Sequence, residues 1–549
     1  MMQIPRPNTG QKDSRTRFFL LPTRVVWNDP GSGTIENTEA LFCDDESFCR
    51  MTPGSGSGPA MVLDFGRELN GGISLDIIAT HPIYPTRQAK IRLRFGESVS
   101  EVMGEPDTTH ALHDFVLMFP GMAKQELGTT GFRFIRLDLL DPENPIDIRQ
   151  IHAVALERDL EYKGRFESSD PLLDRVWQIG AGTVHLCCQD YILDGIKRDR
   201  LVWMGDTHPQ VHVIVSAFGN IDIIPESLRV LRDRAPLPKW INGISSYSLW
   251  WILSLWDWYW YSDDREFLRA QAGYLNGLID QILKYIDPTG REKLDARFLE
   301  WASNRDEAAT SEGFQALLVW SLKVASLIAE TLRDAALADK CRSGLKRLQS
   351  PPVNPIASKA VNSLRVLAGM ADAKTVNETC LAVDPARGLS PWFGFYVLQA
   401  RALAGDYSGG LNLIRNYWGG MVELGATSFW EHFDIAWADN AARIDELTPP
   451  GKHDVHLEYG DYSFKGLVQS LCHGWGGGPT AWLSREILGV RVIEPGFKKI
   501  RIEPHLGDLT FARGTFPAPH GLIRVDHTRT SDGRIHTRYE VPPGVVVEK

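Results

Sequence analysis

Apolar positions recur every second residue in the first part of the chain and every third or fourth residue in the middle, and the period of two returns near the end. From about Trp27 to Leu160, the segments VVW, MVLDFG, ISLDII, AKIRLRFGE and FRFIRLDLL alternate or run apolar between Gly, Pro and Asn turns. That pattern predicts the strands of an antiparallel β-sandwich. The period changes near residue 167. Ser169, Asp170 and Pro171 supply a cap and a first-turn proline, and Leu172, Leu173, Val176, Trp177 and Gly180 follow at helical spacing. A further helix is expected from Asp263 to the DPTG at 287–290, and others over about 312–334, 357–371, 391–404, 408–418 and 461–473. More than ten such segments joined by polar loops, with no intervening strand series, predict a closed ring of helices rather than a parallel α/β sheet. From about Leu488 the strand pattern returns in VRVIEP, KKIRIEP, LTFARGTF and GLIRVDHTR. The expected organisation is a multidomain α+β chain with an N-terminal β-sandwich over 1–165, a helical domain over 166–486 and a small C-terminal β-sandwich domain over 487–549.

At 549 residues the chain exceeds the roughly 250–300 residues at which one core stops growing, so several domains are expected on length alone. The formal charge of −10 is spread over mixed-sign sequence with no basic stripe, which argues against a nucleic-acid partner. The first residues, MMQIPRPNTGQKDSRTRFFLLPTRVVW, hold a short apolar patch without the long apolar run and cleavage site of a secretory leader. No other stretch approaches ~20 uninterrupted apolar residues. The expectation is a soluble, cytoplasmic protein with no membrane partner. Seven cysteines, Cys43, Cys49, Cys187, Cys188, Cys341, Cys380 and Cys472, form no CxxC pair, against both a disulfide framework and a structural zinc site. The sequence leaves the oligomeric state open, a homodimer included.

Three segments concentrate chemistry. In DGIKRDRLVWMGD, residues Asp194, Lys197, Arg198, Asp199, Arg200, Trp203 and Asp206 crowd between a helix end and the next apolar stretch. Charges alone would make this a surface salt-bridge loop, but Trp203 among them points to a site. In GATSFWEHFD, Glu431 follows Trp430. An aromatic beside a carboxylate suits a sugar, whose C–H face stacks on the ring while the carboxylate meets a hydroxyl or water; a helix-capping role for Glu431 is the plainer alternative. In LCHGWGGGPTAWL, His473 and Trp475 precede a Gly run that no Lys-Ser/Thr follows, so it is a close backbone approach rather than a phosphate cradle.

These three segments in this order, with FLEWAS around Trp301 and the C-terminal LGVRVIEPGFKKIRIEP and PAPHGLIRV, resemble the α-L-rhamnosidases of glycoside hydrolase family 78. The resemblance spans nearly the whole chain. It implies a central (α/α)6 barrel flanked by β domains, a small-molecule rhamnoside or rhamno-oligosaccharide substrate, and an inverting mechanism that uses no cofactor. Where the family motif has an Asp-Glu-Arg run, this chain reads Arg198-Asp199-Arg200, with one residue missing upstream. Counting back from Trp203 and Asp206 puts Asp199 in the place of the general acid, as in the branch of the family that is similar in using Asp. Glu431 matches the general base. Asp194, Arg198, Trp203, Asp206, Trp301, Trp430 and His473 are then implied to line the sugar pocket. Inversion requires the two carboxyl groups about 6.5–9.5 Å apart, with a water between Glu431 and the anomeric carbon. The acid is expected to be buried, with Arg198 and Arg200 turned away from it. Another sugar for the same architecture, or a catalytically inactive carbohydrate-binding protein, are the alternatives.

Two features invite other readings. His208 and His212 have the i, i+4 spacing of metal ligands, but no acidic residue completes an HExxH motif, and no metal site is expected. Trp250, Trp251, Trp256, Trp258 and Trp260 read mostly as core, with one or two rings facing a cleft.

Overall fold

The computed structural model describes residues 13–80, 88–104, 113–348, 356–460 and 465–548. Nine strands come first: β1 Arg15–Leu20, β2 Arg24–Asp29, β3 Thr34–Glu36, β4 Cys49–Thr52, β5 Ala60–Thr80, β6 Gln88–Gly96, β7 Asp114–Pro120, β8 Ala123–Leu139 and β9 Ile146–Arg158. All pair antiparallel in one hydrogen-bonded sheet of order β3-β4-β9-β5-β8-β6-β7, with β1 on β9 and β2 on β5. The long strand β5 changes register on β8 between Asp64 and Leu69 and again between Gly71 and Ile73. Such irregularities bend a strand and let one sheet fold over its own apolar face. Leu63, Phe65, Leu75, Ile91, Phe95 and Phe132 fill that face. A short helix, α1 Val99–Met103, follows β6 and is capped by Ser98.

The chain then makes β10 Arg165–Ser168, which pairs with a strand from the far end of the sequence. The C-terminal sheet therefore takes an edge strand that straddles the boundary expected at 165/166. Asp170 caps the next helix by accepting from Leu172 N at 3.0 Å, with Pro171 at its first position. The helices that follow are α2 Pro171–Cys187, α3 Met204–Ala217, α4 Ile223–Arg234, α5 Ser245–Ser262, α6 Arg265–Ile282, α7 Glu307–Leu332, α8 Ala335–Arg347, α9 Lys359–Leu367, α10 Ala373–Val376, α11 Pro391–Leu403, α12 Tyr407–Glu423 and α13 Gly478–Trp482.

Their polarity sorts them into two layers. Helices α3, α5 and α11 are buried nearly all round, whereas α4, α6 and α8 bury only one face. The buried helices pack in cyclic order: α3 on α5, α5 on α7, α7 on α9, α9 on α11, α11 on α13, and α13 back on α3. Helix α7 is long and apolar enough to cross a membrane by length and composition, and 67% of that window is buried inside the protein. Trp250 and Trp251 on α5 are fully buried, while Trp256 and Trp260 stack at the edge of a cavity.

The helix expected over 461–473 does not form over its described part, and 461–464 lie outside the described residues. Residues Gly466–Val468 make a single turn of 3₁₀-helix, then Ser470 and His473 lie against the strand-like segment 429–431. Gly466 has φ +60°, a conformation that ends helical propagation. After a two-residue parallel pairing of β11 Ala441–Ala442 with β12 His453–Asp454, the C-terminal strands are β13 Val490–Glu494, β14 Lys499–Ile502, β15 Phe511–Ala518, β16 Gly521–Arg529, β17 Ile535–Glu540 and β18 Val546–Glu548. They form a sheet of order β10-β15-β16-β17 and a second of order β13-β14-β18.

Candidate active site

Three segments far apart in sequence are sewn together by backbone hydrogen bonds at one mouth of the helical ring. Glu431 N donates to Ser470 O at 2.9 Å, His473 N to Phe429 O at 2.8 Å, and Gly474 N to Asp194 O at 2.7 Å. Glycine permits the approach: a Cβ at Gly474 would lie 2.2 Å from the Gln210 side chain. The Gly run is thus a packing device, as its lack of a phosphate signature suggests.

The floor under these segments comes from the N-terminal sheet. Glu97, at the end of β6, accepts from Leu471 N at 2.6 Å and Ser470 Oγ at 3.2 Å. Lys197 lies 2.9 Å from Glu101 and donates to Gln469 O at 3.1 Å. Burial pushes the Glu97 carboxyl up to about 7, against the pull of the Lys197 ammonium. Sequence reasoning missed Glu97 and Glu101, because nothing in a strand end announces that it will meet a loop some 370 residues later.

Above this floor opens a pocket of about 210 Å³ lined by Asp194, Arg198, Asp199, Trp203, Asp206, Trp301, Glu431 and His473, together with Ile244, Tyr247, Phe298 and Trp475. The structure therefore brings together every residue expected there except Trp430. Trp430 is 1% exposed and packs edge-on against Phe433, behind Glu431 rather than beside the cavity. The ring that takes its place is Trp475, which donates from Nε1 to Glu431 O at 2.9 Å and stacks on Trp392 with centroids 5.0 Å apart. Trp475 stands out beside His473 in sequence but is not among the residues expected in the pocket, whereas Tyr247 and Phe298 went unnoticed. Tyr247 was hidden in the apolar run of α5, and Phe298 in the segment quoted for Trp301.

The carboxylates divide into two kinds. Contrary to expectation, Arg198 does not turn away from Asp199: its Nη1 is 3.4 Å from Asp199 Oδ1, while its Nη2 donates to Glu431 Oε2, so one guanidinium joins the two carboxylates. Ser470 N also donates to Glu431 Oε2, at 3.0 Å. Arg200 turns away and donates to Ile196 O at 2.8 Å. The expected burial of Asp199 is not found: its side chain is 39% exposed, with Trp203 Nε1 donating to Oδ2 at 3.3 Å. The reason is local. Asp199 and Arg200 both take left-handed backbone, φ 53° and 54°, in a turn that lifts the carboxylate to the rim. Non-glycine residues in that region cost about 1–3 kcal/mol each and persist where the surroundings enforce them, often at functional loops.

Asp194 and Asp206, like Glu431, are buried. Asp206 sits in the first turn of α3 and accepts from Tyr247 OH at 3.2 Å; Asp194 accepts from Leu201 N at 2.9 Å. Burial pushes Asp194 up to about 7, aided by the charges of Asp199 and Glu431, and it pushes Asp206 well above the ordinary carboxylate value, aided by Asp194. His473 Nε2 stands 3.7 Å from Asp206 and 3.8 Å from Asp194. Burial, and then the Arg198 guanidinium, hold it well below the usual imidazole value. The pocket thus offers two carboxyl groups of raised pKa and an imidazole of lowered pKa in its depth, the buried Glu431 beside them, Asp199 at its rim, and aromatic walls. That set suits an uncharged polyhydroxyl ligand with an apolar face.

Residues 161–350 match the family described as the bacterial alpha-L-rhamnosidase 6 hairpin glycosidase domain, and residues 489–548 match the bacterial alpha-L-rhamnosidase C-terminal domain. The chain resembles the α-L-rhamnosidases. An alpha-L-rhamnosidase of Alteromonas sp. (strain LOR) is 24% identical over 536 residues, covering 87% of this chain and 54% of that protein. The chain spans about half the length of this curated rhamnosidase. Among solved structures, a GH78 family rhamnosidase of Bacillus sp. GL1 superposes with a TM-score of 0.76 at 21% identity, covering 94% of this chain and 55% of the other. A rhamnosidase from Klebsiella oxytoca with rhamnose bound gives 0.71 at 22% identity, covering 86% and 96%. At such identities these rhamnosidases speak to the fold.

Proposed function

We propose that the chain hydrolyses terminal α-L-rhamnosides with inversion, Asp199 acting as general acid and Glu431 as general base. The observation that carries this reading is the placing of Asp199 and Glu431 on either side of one guanidinium, in a pocket walled by Trp203, Trp301 and Trp475. The rhamnosidase domain matches, and the rhamnose bound to the Klebsiella oxytoca enzyme, support rhamnose as the sugar. The reading also takes the helices over 166–486 as an (α/α)6 barrel between β domains over 1–165 and 487–549. The cyclic packing of six buried helices and the six-hairpin description of the matched family support it.

In this mechanism the sugar ring lies on the aromatic wall, and its hydroxyls take hydrogen bonds from Asp206 and, below about pH 7, from Asp194, and exchange them with His473. Neutral carboxyl groups in a dry pocket are strong donors and add no charge to repel Glu431. Glu431, oriented by Ser470 N–H and Arg198, takes a proton from the water that attacks the anomeric carbon, while Asp199 gives its proton to the departing oxygen. The exposed position of Asp199 suits that role, because the leaving group faces the pocket mouth.

Initial rates on aryl glycosides test the proposal. An aryl α-L-rhamnoside should exceed the α-L-fucoside and β-D-glucuronide in kcat/KM by at least about 10²-fold, the scale set by a site built around specific hydroxyls. An equal or faster rate on another sugar would overturn the substrate, and no hydrolysis of any would overturn the enzyme.

A further inference from the structure

We propose that His208, His212 and Asp257 form a binding site for one divalent transition-metal ion of the zinc class, at the mouth of the helical ring remote from the sugar pocket. His208 and His212 project from successive turns of α3, and Asp257 reaches them from α5, ten residues and about 15 Å of helix beyond Tyr247. The missing acidic partner of the His pair is therefore supplied by the neighbouring helix, 45 positions beyond His212, where no motif spacing would reveal it.

The geometry is that of ligands around a common centre. Asp257 Oδ2 lies 3.1 Å from His208 Nε2 and 3.1 Å from His212 Nε2, and the three atoms all fall within 4.8 Å of one another. Ligand atoms bound to zinc at ~2.0–2.1 Å with tetrahedral angles are about 3.3 Å apart. Asp257 Oδ2 is buried and makes its close approaches to the two imidazoles without full hydrogen-bond alignment, a contact that a bound cation would take over. The remaining ring nitrogens are engaged from behind, His208 Nδ1 by Tyr396 OH at 2.8 Å and His212 Nδ1 by Tyr261 OH at 3.1 Å. Partners of this kind fix ring orientation and leave Nε2 for a metal.

The cluster opens on a cavity of about 460 Å³ whose walls include Trp256, Trp260 and Tyr261, with room for a water as fourth ligand. Two imidazoles and one carboxylate suit zinc, and nickel or cobalt in its place, better than calcium or magnesium, which take oxygen. A second group, Glu97, Glu101 and His456, also converges, but the Lys197 ammonium already lies 2.9 Å from Glu101 and 3.7 Å from Glu97.

The test uses the full chain stripped with a chelator and titrated with Zn²⁺ against a chromophoric competitor. The expected result is one tight equivalent per chain, with affinity weakened by about 100-fold or more in His212→Gln and in Asp257→Asn, the scale seen for losses even in a metal's outer shell. Circular dichroism of each variant shows that it has folded. Co²⁺ added to the unaltered chain should give the intense visible absorption of a four- or five-coordinate ion, a readout that needs no variant. Uptake far below one equivalent, uptake that both folded variants leave unchanged, or only the faint spectrum of six-coordinate Co²⁺ would overturn the site.

Discussion

Helices α3 and α5 lie side by side and hold a carboxylate at each end, Asp206 buried and Asp257 mostly so, and the two settle in opposite states. At the pocket end, Asp206 on α3 meets Tyr247 on α5, and burial together with the nearby Asp194 pushes its pKa well up. At the remote end, burial also works to raise Asp257, but the imidazoles of His212 and His208 beside it bring it below the ordinary value. Burial alone does not decide charge; the neighbours do. The pocket end is thereby fitted to neutral, hydroxyl-rich ligands and the remote end to a cation.

The largest effect expected is on chemistry at the pocket end. Glu431→Gln should lower kcat on an aryl α-L-rhamnoside by roughly 10²–10⁴-fold, the usual range for a positioned base, with KM nearly unchanged. Steady-state rates check this, and near-normal turnover would move the chemistry to another carboxylate.

Next comes a loss of stability at the remote end. Asp257→Asn, in chelator, should cost roughly 2–3 kcal/mol in urea unfolding at pH 7, somewhat under the ~3–5 kcal/mol for breaking a fully buried pair, since Asp257 is partly open to the cavity. Because Asp257 has a depressed folded pKa, its contribution is present above the unfolded value near ~3.9 and lost as pH falls below it. The gap between the two proteins should therefore close under acid.

Asp194→Asn should do the opposite. Its pKa is about 7 when folded against ~3.9 unfolded, so the folded state holds a proton that the unfolded state releases, and stability falls as pH rises from about 4 to 7. The variant should therefore be better off by about 4 kcal/mol at pH 8 than at pH 4, relative to the unaltered chain, while losing activity. Two Asp→Asn changes with stability effects of the same sign would break the comparison. The smallest effect belongs to Trp301→Ala: its ring is 36% exposed, so KM should rise about 5-fold for a lost stacking face while stability moves within about 0.5 kcal/mol.

Much of the scaffold was legible in apolar periodicity, since burial on one face or on all faces leaves a different trace in sequence. The Asp170-Pro171 start of α2 and the wholly apolar α5 are cases. The helix drawn over 461–473 failed because its apolar residues are buried by a segment running beside 429–431, and a short apolar run has no period to tell the two apart. At the site, charged loop residues such as Arg198 and Asp206 announce themselves, because charges near apolar stretches need a reason. Tyr247 and Phe298 do not, since an aromatic in a core element and one in a pocket wall look alike in sequence. Trp430 shows the converse: its place next to Glu431 suggested a wall, but alternation along an extended segment sends neighbours to opposite sides. Asp257 and Glu97 were invisible because each acts on a partner from a different element.

The most direct test of the account is the anomer first released from an α-L-rhamnoside, followed by proton NMR before mutarotation mixes the forms. If Glu431 activates water and Asp199 protonates the leaving oxygen, one displacement gives β-L-rhamnose first. Early α-L-rhamnose would mean two displacements through a glycosyl-enzyme, with Glu431 as nucleophile, and would contradict the roles assigned here.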